Sequence, residues 1–216
     1  MENYLLAMAV FAGCYALMAL GLNLIFGLAG MINLGLVGFF AIGAYASALL
    51  TVKLHVPLLL AGPAAIGAAA LCGVVVALVT ARLRGDYLAI VTLGFSEVIR
   101  LVASNEIWLT NGTDGISAIP APGRGVLSPL LFNLQFVVIV WLAVGLAAFL
   151  IARLSAAPFG RVLRAIREDD VIASVAGKRV LRFKLQAFAI GASMIVGINA
   201  KAASTSPDRD PAYRLF

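Results

Sequence analysis

The apolar positions of this chain run in long blocks rather than in strict alternation. Each block is close to the ~20 residues that a helix rising about 1.5 Å per residue needs to cross a hydrocarbon layer. Hydropathy places spans at Tyr4 to Phe26, Ile32 to Leu50, Pro57 to Thr80, Tyr87 to Asn105 and Phe132 to Ala152, and a sixth begins near Leu185 and is cut short. In lipid every backbone polar group needs an internal partner, so the pattern predicts an all-α polytopic transmembrane bundle of about five to six spans. Residues 1–198 form the membrane domain, and 199–216 read as a polar tail.

Composition agrees with this reading: 62% of residues are hydrophobic and 12% charged, against roughly 45–50% and about 25% in soluble domains. The net charge of +6 would suit nucleic acid if it were spread over a surface, but it is concentrated. Between Arg153 and Lys184 lie eight Lys or Arg and three acids, a net of +5. Such a short basic loop is expected in the cytoplasm, and nucleic acid is not expected as a partner. Counting back puts Arg82 and Arg84 inside. Lys53, the Glu106 to Leu131 loop and the N-terminus then fall outside. Cys14 and Cys72 sit far apart inside apolar blocks and read as small buried hydrophobes. His55 stands alone, and no metal site is expected.

Three features inside the spans suggest contacts. Ala65, Ala69, Gly73, Ala77 and Ala81 recur every fourth position and predict a face on which helices approach closely. The stretch Gly27 to Gly35 (GLAGMINLG) reads either as a tight turn or as a broken helix at membrane depth, of the kind that builds transporter sites. In TLGFSEVIR, the residues Thr92, Ser96 and Arg100 share a face. Glu97 and Arg100 lie within one turn of each other. They form either a polar stripe along a translocation pathway or a structural ion pair.

The 153–184 loop contains helical periodicity between Gly160 and Gly177, with Val162, Leu163 and Ile166 on one side and Arg161, Arg164 and Arg167 on another. An amphipathic helix of this kind either lies on the membrane or docks into a partner. The sequence contains no GxxxxGK followed by Ser or Thr, no glycine-serine nucleophile motif and no HExxH. No cofactor is implied, and catalysis is not expected of this chain.

Three segments resemble the permease subunits of branched-chain amino acid ABC importers, a family that also includes urea and short-amide permeases. They are GLNLIFGLAGMINLG with FFAIGAYASALL, YLAIVTLGFSEVIRLV with TNGTDGIS, and FGRVLRAIREDD with AGKRVLRFKLQAFAIGAS. The resemblance implies a multi-pass subunit of the bacterial inner membrane, with ATP hydrolysis on separate ATP-binding cassette subunits. It also implies a second homologous permease chain and a periplasmic substrate-binding protein. By the same resemblance, Gly160, Arg161, Leu163, Arg164, Ile166, Arg167 and Glu168 couple to the ATPase. Leu163 and Ile166 would pack inward or into the partner's groove, and reversal of Arg164 to Glu would weaken ATPase association or uncouple hydrolysis from uptake without unfolding the bundle. Leu36-Val37 stands where a Gly-His-Ala type stretch is usual. After Ser193 the chain departs from the family's small-residue helix, and a truncated product is the expectation. The rivals are a secondary transporter or channel working without an ATPase, and an inactive fragment.

Overall fold

The structure, a computed structural model, describes residues 2–80, 83, 85–112, 116 and 129–195. Arg82 and Arg84, Thr113 to Gly115 of the outer loop and the 199–216 tail lie outside the described residues.

The long helices follow the apolar blocks: α1 (Glu2–Leu22), α2 (Leu36–Val52), α3 (Leu58–Val79), α4 (Asp86–Asn105) and α6 (Pro129–Ala156). Between α4 and α6 a single turn, α5 (Ile107–Thr110), follows α4 directly. The basic loop holds α7 (Pro158–Glu168) and α8 (Asp170–Val175), and α9 (Val180–Ile195) re-enters the bundle. Among the described residues four helices are long and apolar enough to cross a membrane, namely Tyr4–Leu28, Leu60–Val79, Asp86–Asn105 and Asn133–Ala156.

The second expected span is shorter than hydropathy indicates, because Leu36–Val52 has 17 residues, about 25 Å of helix. The missing length is supplied upstream. After Leu22 the coil widens into π-type geometry over Asn23–Leu28 and stops at Gly30, whose φ of +69° suits glycine. The Gly30 N–H donates to the Phe26 carbonyl at 3.0 Å and the Met31 N–H to that of Ile25 at 3.1 Å. Residues 31–35 then run without helix to the start of α2. The stretch is therefore a short non-helical linker between the π-type turn and α2, longer than a tight turn.

From Ala65 to Ala77 the small-residue ladder is a helix contact, as expected, while Ala81 lies outside the described residues. Ala65, Ala69 and Ala77 are buried, and Ala46 packs on the first two. A Cβ on Gly73 would come within 2.9 Å of Ala192 Cβ and 3.0 Å of the Phe188 carbonyl oxygen. The ladder thus seats α3 against α2 at one end and α9 at the other. The main core gathers Ile25, Phe39, Val76, Leu88, Leu163 and Phe188. It lies at the end of the bundle where the α1–α2 linker meets α7. A second cluster, Val10, Cys14, Phe136 and Val140, joins α1 to α6.

Two ends of the bundle can be told apart. Ala29 to Met31, Leu83, Gly85, Arg167, Asp170 and Lys184 line one cavity of about 320 Å³, so the α1–α2 linker, the α3–α4 turn and the basic loop share an end. At the other end, Lys53 Nζ donates to the Trp108 carbonyl at 2.5 Å, joining the α2–α3 turn to α5. The α3–α4 turn and the basic loop thus share one end of the bundle, with Lys53 at the other.

Candidate functional site

α7 begins where Pro158 enters the helix at its first turn, a position at which proline loses no needed hydrogen bond. It folds back tightly on α6. A Cβ on Gly160 would lie 2.5 Å from the carbonyl oxygens of Leu154 and Ser155, so only glycine fits. Leu163 and Ile166 are buried at 0% and 4% exposure, while Arg161, Arg164, Arg167 and Glu168 are exposed. Phe159 packs on Phe183 with ring centroids 5.7 Å apart, which ties α7 to the start of α9.

The periodic stretch from Gly160 to Gly177 is two helices rather than one. Asp169 adopts an extended backbone (φ −156°, ψ 115°), and its Oδ1 accepts from the N–H groups of Val171 at 2.7 Å and Ile172 at 3.1 Å. This N-cap satisfies donors that a continuous helix would have paired with carbonyls, so Asp169 ends one helix and starts the next. Asp170 then pairs with Lys184 at 3.2 Å, with side chains 18% and 15% exposed.

The arginines of α7 are not equivalent. Arg164 Nη2 donates to the Ser155 carbonyl at 2.6 Å, a group at the end of α6, and Nε to the Gly160 carbonyl of α7 at 3.3 Å. Arg167 Nη1 donates to the Gly27 carbonyl at 2.6 Å, and its aliphatic stem lies over Gly30. None of these three bonds has a sequence signature, since all three acceptors are main-chain oxygens.

The second candidate group, on α4, divides. Thr92 is fully buried. Its Oγ1 accepts from the Leu34 N–H at 3.1 Å and donates to the carbonyls of Leu88 and Ala89. A Cβ on Gly35 would lie 2.5 Å from the Thr92 carbonyl oxygen, and one on Gly38 would lie 2.9 Å from Phe95. The linker and α2 are therefore pressed against α4, where Phe39 and Phe95 stack at 5.2 Å. Ser96 is half-buried. Glu97 and Arg100 form a two-pronged pair, Nη2 to Oε1 at 2.6 Å and Nε to Oε2 at 2.9 Å. Their side chains are 54% and 62% exposed on the outer face of α4, so this chain by itself does not enclose the polar stripe.

Asn33 escaped the sequence reading. It is 1% exposed; its Oδ1 accepts from the Gly35 N–H at 2.8 Å, and its Nδ2 has no partner among the described residues. The only available signal was a lone amide among apolar residues between two glycines.

A profile of the family described as "Branched-chain amino acid transport system / permease component" matches residues 4–202. The chain is 36% identical over 208 residues to the Escherichia coli "High-affinity branched-chain amino acid transport system permease protein LivM", covering 83% of this chain and 47% of that protein. The same figures hold for the Salmonella typhimurium protein of that name. A "Probable branched-chain amino acid transport permease protein LivM" of Methanocaldococcus jannaschii is 28% identical over 219 residues, covering 84% of this chain and 62% of that one. The chain thus spans about half the length of the two enterobacterial relatives. No solved structure matches it. With the family profile running over nearly all of the apolar helices and α7, the chain belongs to the branched-chain amino acid transport permease family.

Proposed function

We propose that this chain is a membrane-spanning permease subunit of an ATP-driven importer of branched-chain amino acids in the inner membrane. ATP is hydrolysed on a separate cassette subunit that docks on the outward side of α7. A second permease chain and an external binding protein complete the assembly. The observation that carries the reading is α7 itself. Its apolar residues Leu163 and Ile166 are spent inside the bundle, which leaves Arg161 and Glu168 exposed on the basic end. A membrane-lying anchor would need the reverse, with the apolar side available to lipid.

The exposed Glu97–Arg100 pair fits the same assembly. A charged pair within a membrane span is expected to face protein or a water-filled cavity, and the outer face of α4 is where another permease element or the translocation path would lie.

The test is uptake of radiolabelled leucine, isoleucine and valine by cells that lack their own permease and express this chain with its cognate subunits. The reading predicts uptake that requires the ATPase and co-purification of the two. Uptake without the ATPase would make the chain a secondary transporter or channel. Competition by urea or short amides, with none by leucine, would move the substrate assignment to those compounds.

A further inference from the structure

The docking helix and the polar group on α4 are joined by one continuous set of contacts through the α1–α2 linker. At the linker's first end, Arg167 Nη1 holds the Gly27 carbonyl at 2.6 Å. The Arg167 stem occupies the space over Gly30, where an added Cβ would meet its Cγ at 2.6 Å and its Cα at 3.3 Å. At the far end, the Leu34 N–H donates to Thr92 Oγ1 at 3.1 Å, and Gly35 is pressed against the Thr92 carbonyl. Between the two anchors the π-type turn ends at Leu28 and residues 30–35 are not helical. The Gly30 and Met31 N–H groups close back onto Phe26 and Ile25, whereas those of Leu34 and Gly35 are held by the Thr92 and Asn33 side chains.

We propose that Arg167 is a positioning residue for transport, one that transmits displacement of α7 to the linker and from there to Thr92 and α4. The inference rests on the proposed docking of the ATPase to α7. Three features argue for a transmitting role rather than a static brace. A guanidinium bonded to a main-chain carbonyl moves the backbone with the helix that carries it. The widened coil over Asn23–Leu28 is a π-type distortion, a feature that recurs at functional sites. The buried Asn33 Nδ2 has no partner among the described residues, so the surrounding side chains do not fix every polar group of the linker. An element biased from both ends is what coupling between distant sites requires.

The experiment uses the full chain reconstituted in proteoliposomes with its ATPase, second permease chain and binding protein, and it reads leucine molecules imported per ATP hydrolysed. Arg167→Met keeps the stem over Gly30 and removes the donor. The ratio should fall roughly tenfold, within the range seen when a member of a coupling network is removed, and Arg167→Lys should recover part of it. Thr92→Val, which removes the acceptor for the Leu34 N–H at the other end, should lower the ratio similarly. The double variant should be no worse than either single one, as expected for positions acting in series. A cysteine placed by Arg161→Cys reports docking independently by crosslinking to the ATPase. If the crosslink forms but neither Arg167→Met nor Thr92→Val changes the ratio, the relay is wrong and the docking reading survives. If no crosslink forms, the docking reading falls and takes the relay with it. Should Arg167→Met not assemble, Thr92→Val alone decides.

Discussion

Arg161 and Arg164 lie three positions apart on α7 with different surroundings. Arg164 is bonded to the Ser155 carbonyl at 2.6 Å, so a reversal to Glu places a carboxylate against main-chain oxygens and removes a charge-assisted bond. The structure therefore revises the expectation that Arg164→Glu spares the fold. It should destabilise the α6–α7 joint by about 1 kcal/mol or more, seen as a lower melting temperature in detergent. Arg161→Glu should stay within about 0.5 kcal/mol of the parent and affect only ATPase co-purification. Equal melting of the two variants would refute the distinction. A related argument applies to Glu97 and Arg100, whose charges meet in a two-pronged pair. Removing one partner leaves an uncompensated charge within a span, whereas removing both leaves none. Glu97→Ala should accordingly lower the yield of membrane-inserted protein more than Glu97→Ala combined with Arg100→Ala, as quantitative immunoblotting of isolated membranes would reveal. A double variant as poorly inserted as the single one would count against the pairing.

The contact between α3 and α9 forms where side chains are small. α3 and α9 touch across Gly73, with no room for a Cβ between it and Ala192. Gly73→Val should therefore cost about 1–3 kcal/mol through overpacking, measured as loss of thermal stability. Gly67 on the same helix has open space around it, so Gly67→Ala should be neutral or stabilising. If the two behave alike, the contact is misplaced. This face was legible in the sequence because a small residue at every fourth position has one geometric meaning on a helix. The apolar face of α7 was legible for the same reason. The late start of α2 was not, since Ile32, Leu34 and Leu36 are equally apolar in a helix or an extended strand, and hydropathy does not separate the two. The bond from Arg167 to Gly27 spans 140 positions and ends on a carbonyl oxygen, a group every residue possesses, so no pattern of side chains announces it. Asp169 was visible as a charge, yet its capping role depends on an extended backbone that only the folded chain displays.

For the whole molecule, the arrangement of ends yields a topology that can be tested without knowing the substrate. Lys53 is joined to Trp108 at one end. Ser174 belongs to α8 in the basic loop, where Asp170 and Arg167 line the cavity shared with the α1–α2 linker at the other. The +5 charge between Arg153 and Lys184 predicts that the second end is cytoplasmic, because compact basic loops are retained there. Both probe positions are exposed, so accessibility of the thiol will report sidedness rather than burial. The native Cys14 and Cys72 lie inside helices and are removed as Cys14→Ala and Cys72→Ala before the probes are added. A cysteine introduced as Lys53→Cys should then react with a membrane-impermeant maleimide applied to intact spheroplasts. One introduced as Ser174→Cys should react only after the membrane is opened. Labelling of both from outside would mean that the bundle is not inserted as a membrane-spanning unit. A reversed pattern would put α7 on the outer face, where no ATP-hydrolysing subunit can reach it, and the proposed docking of that subunit would fall together with the topology.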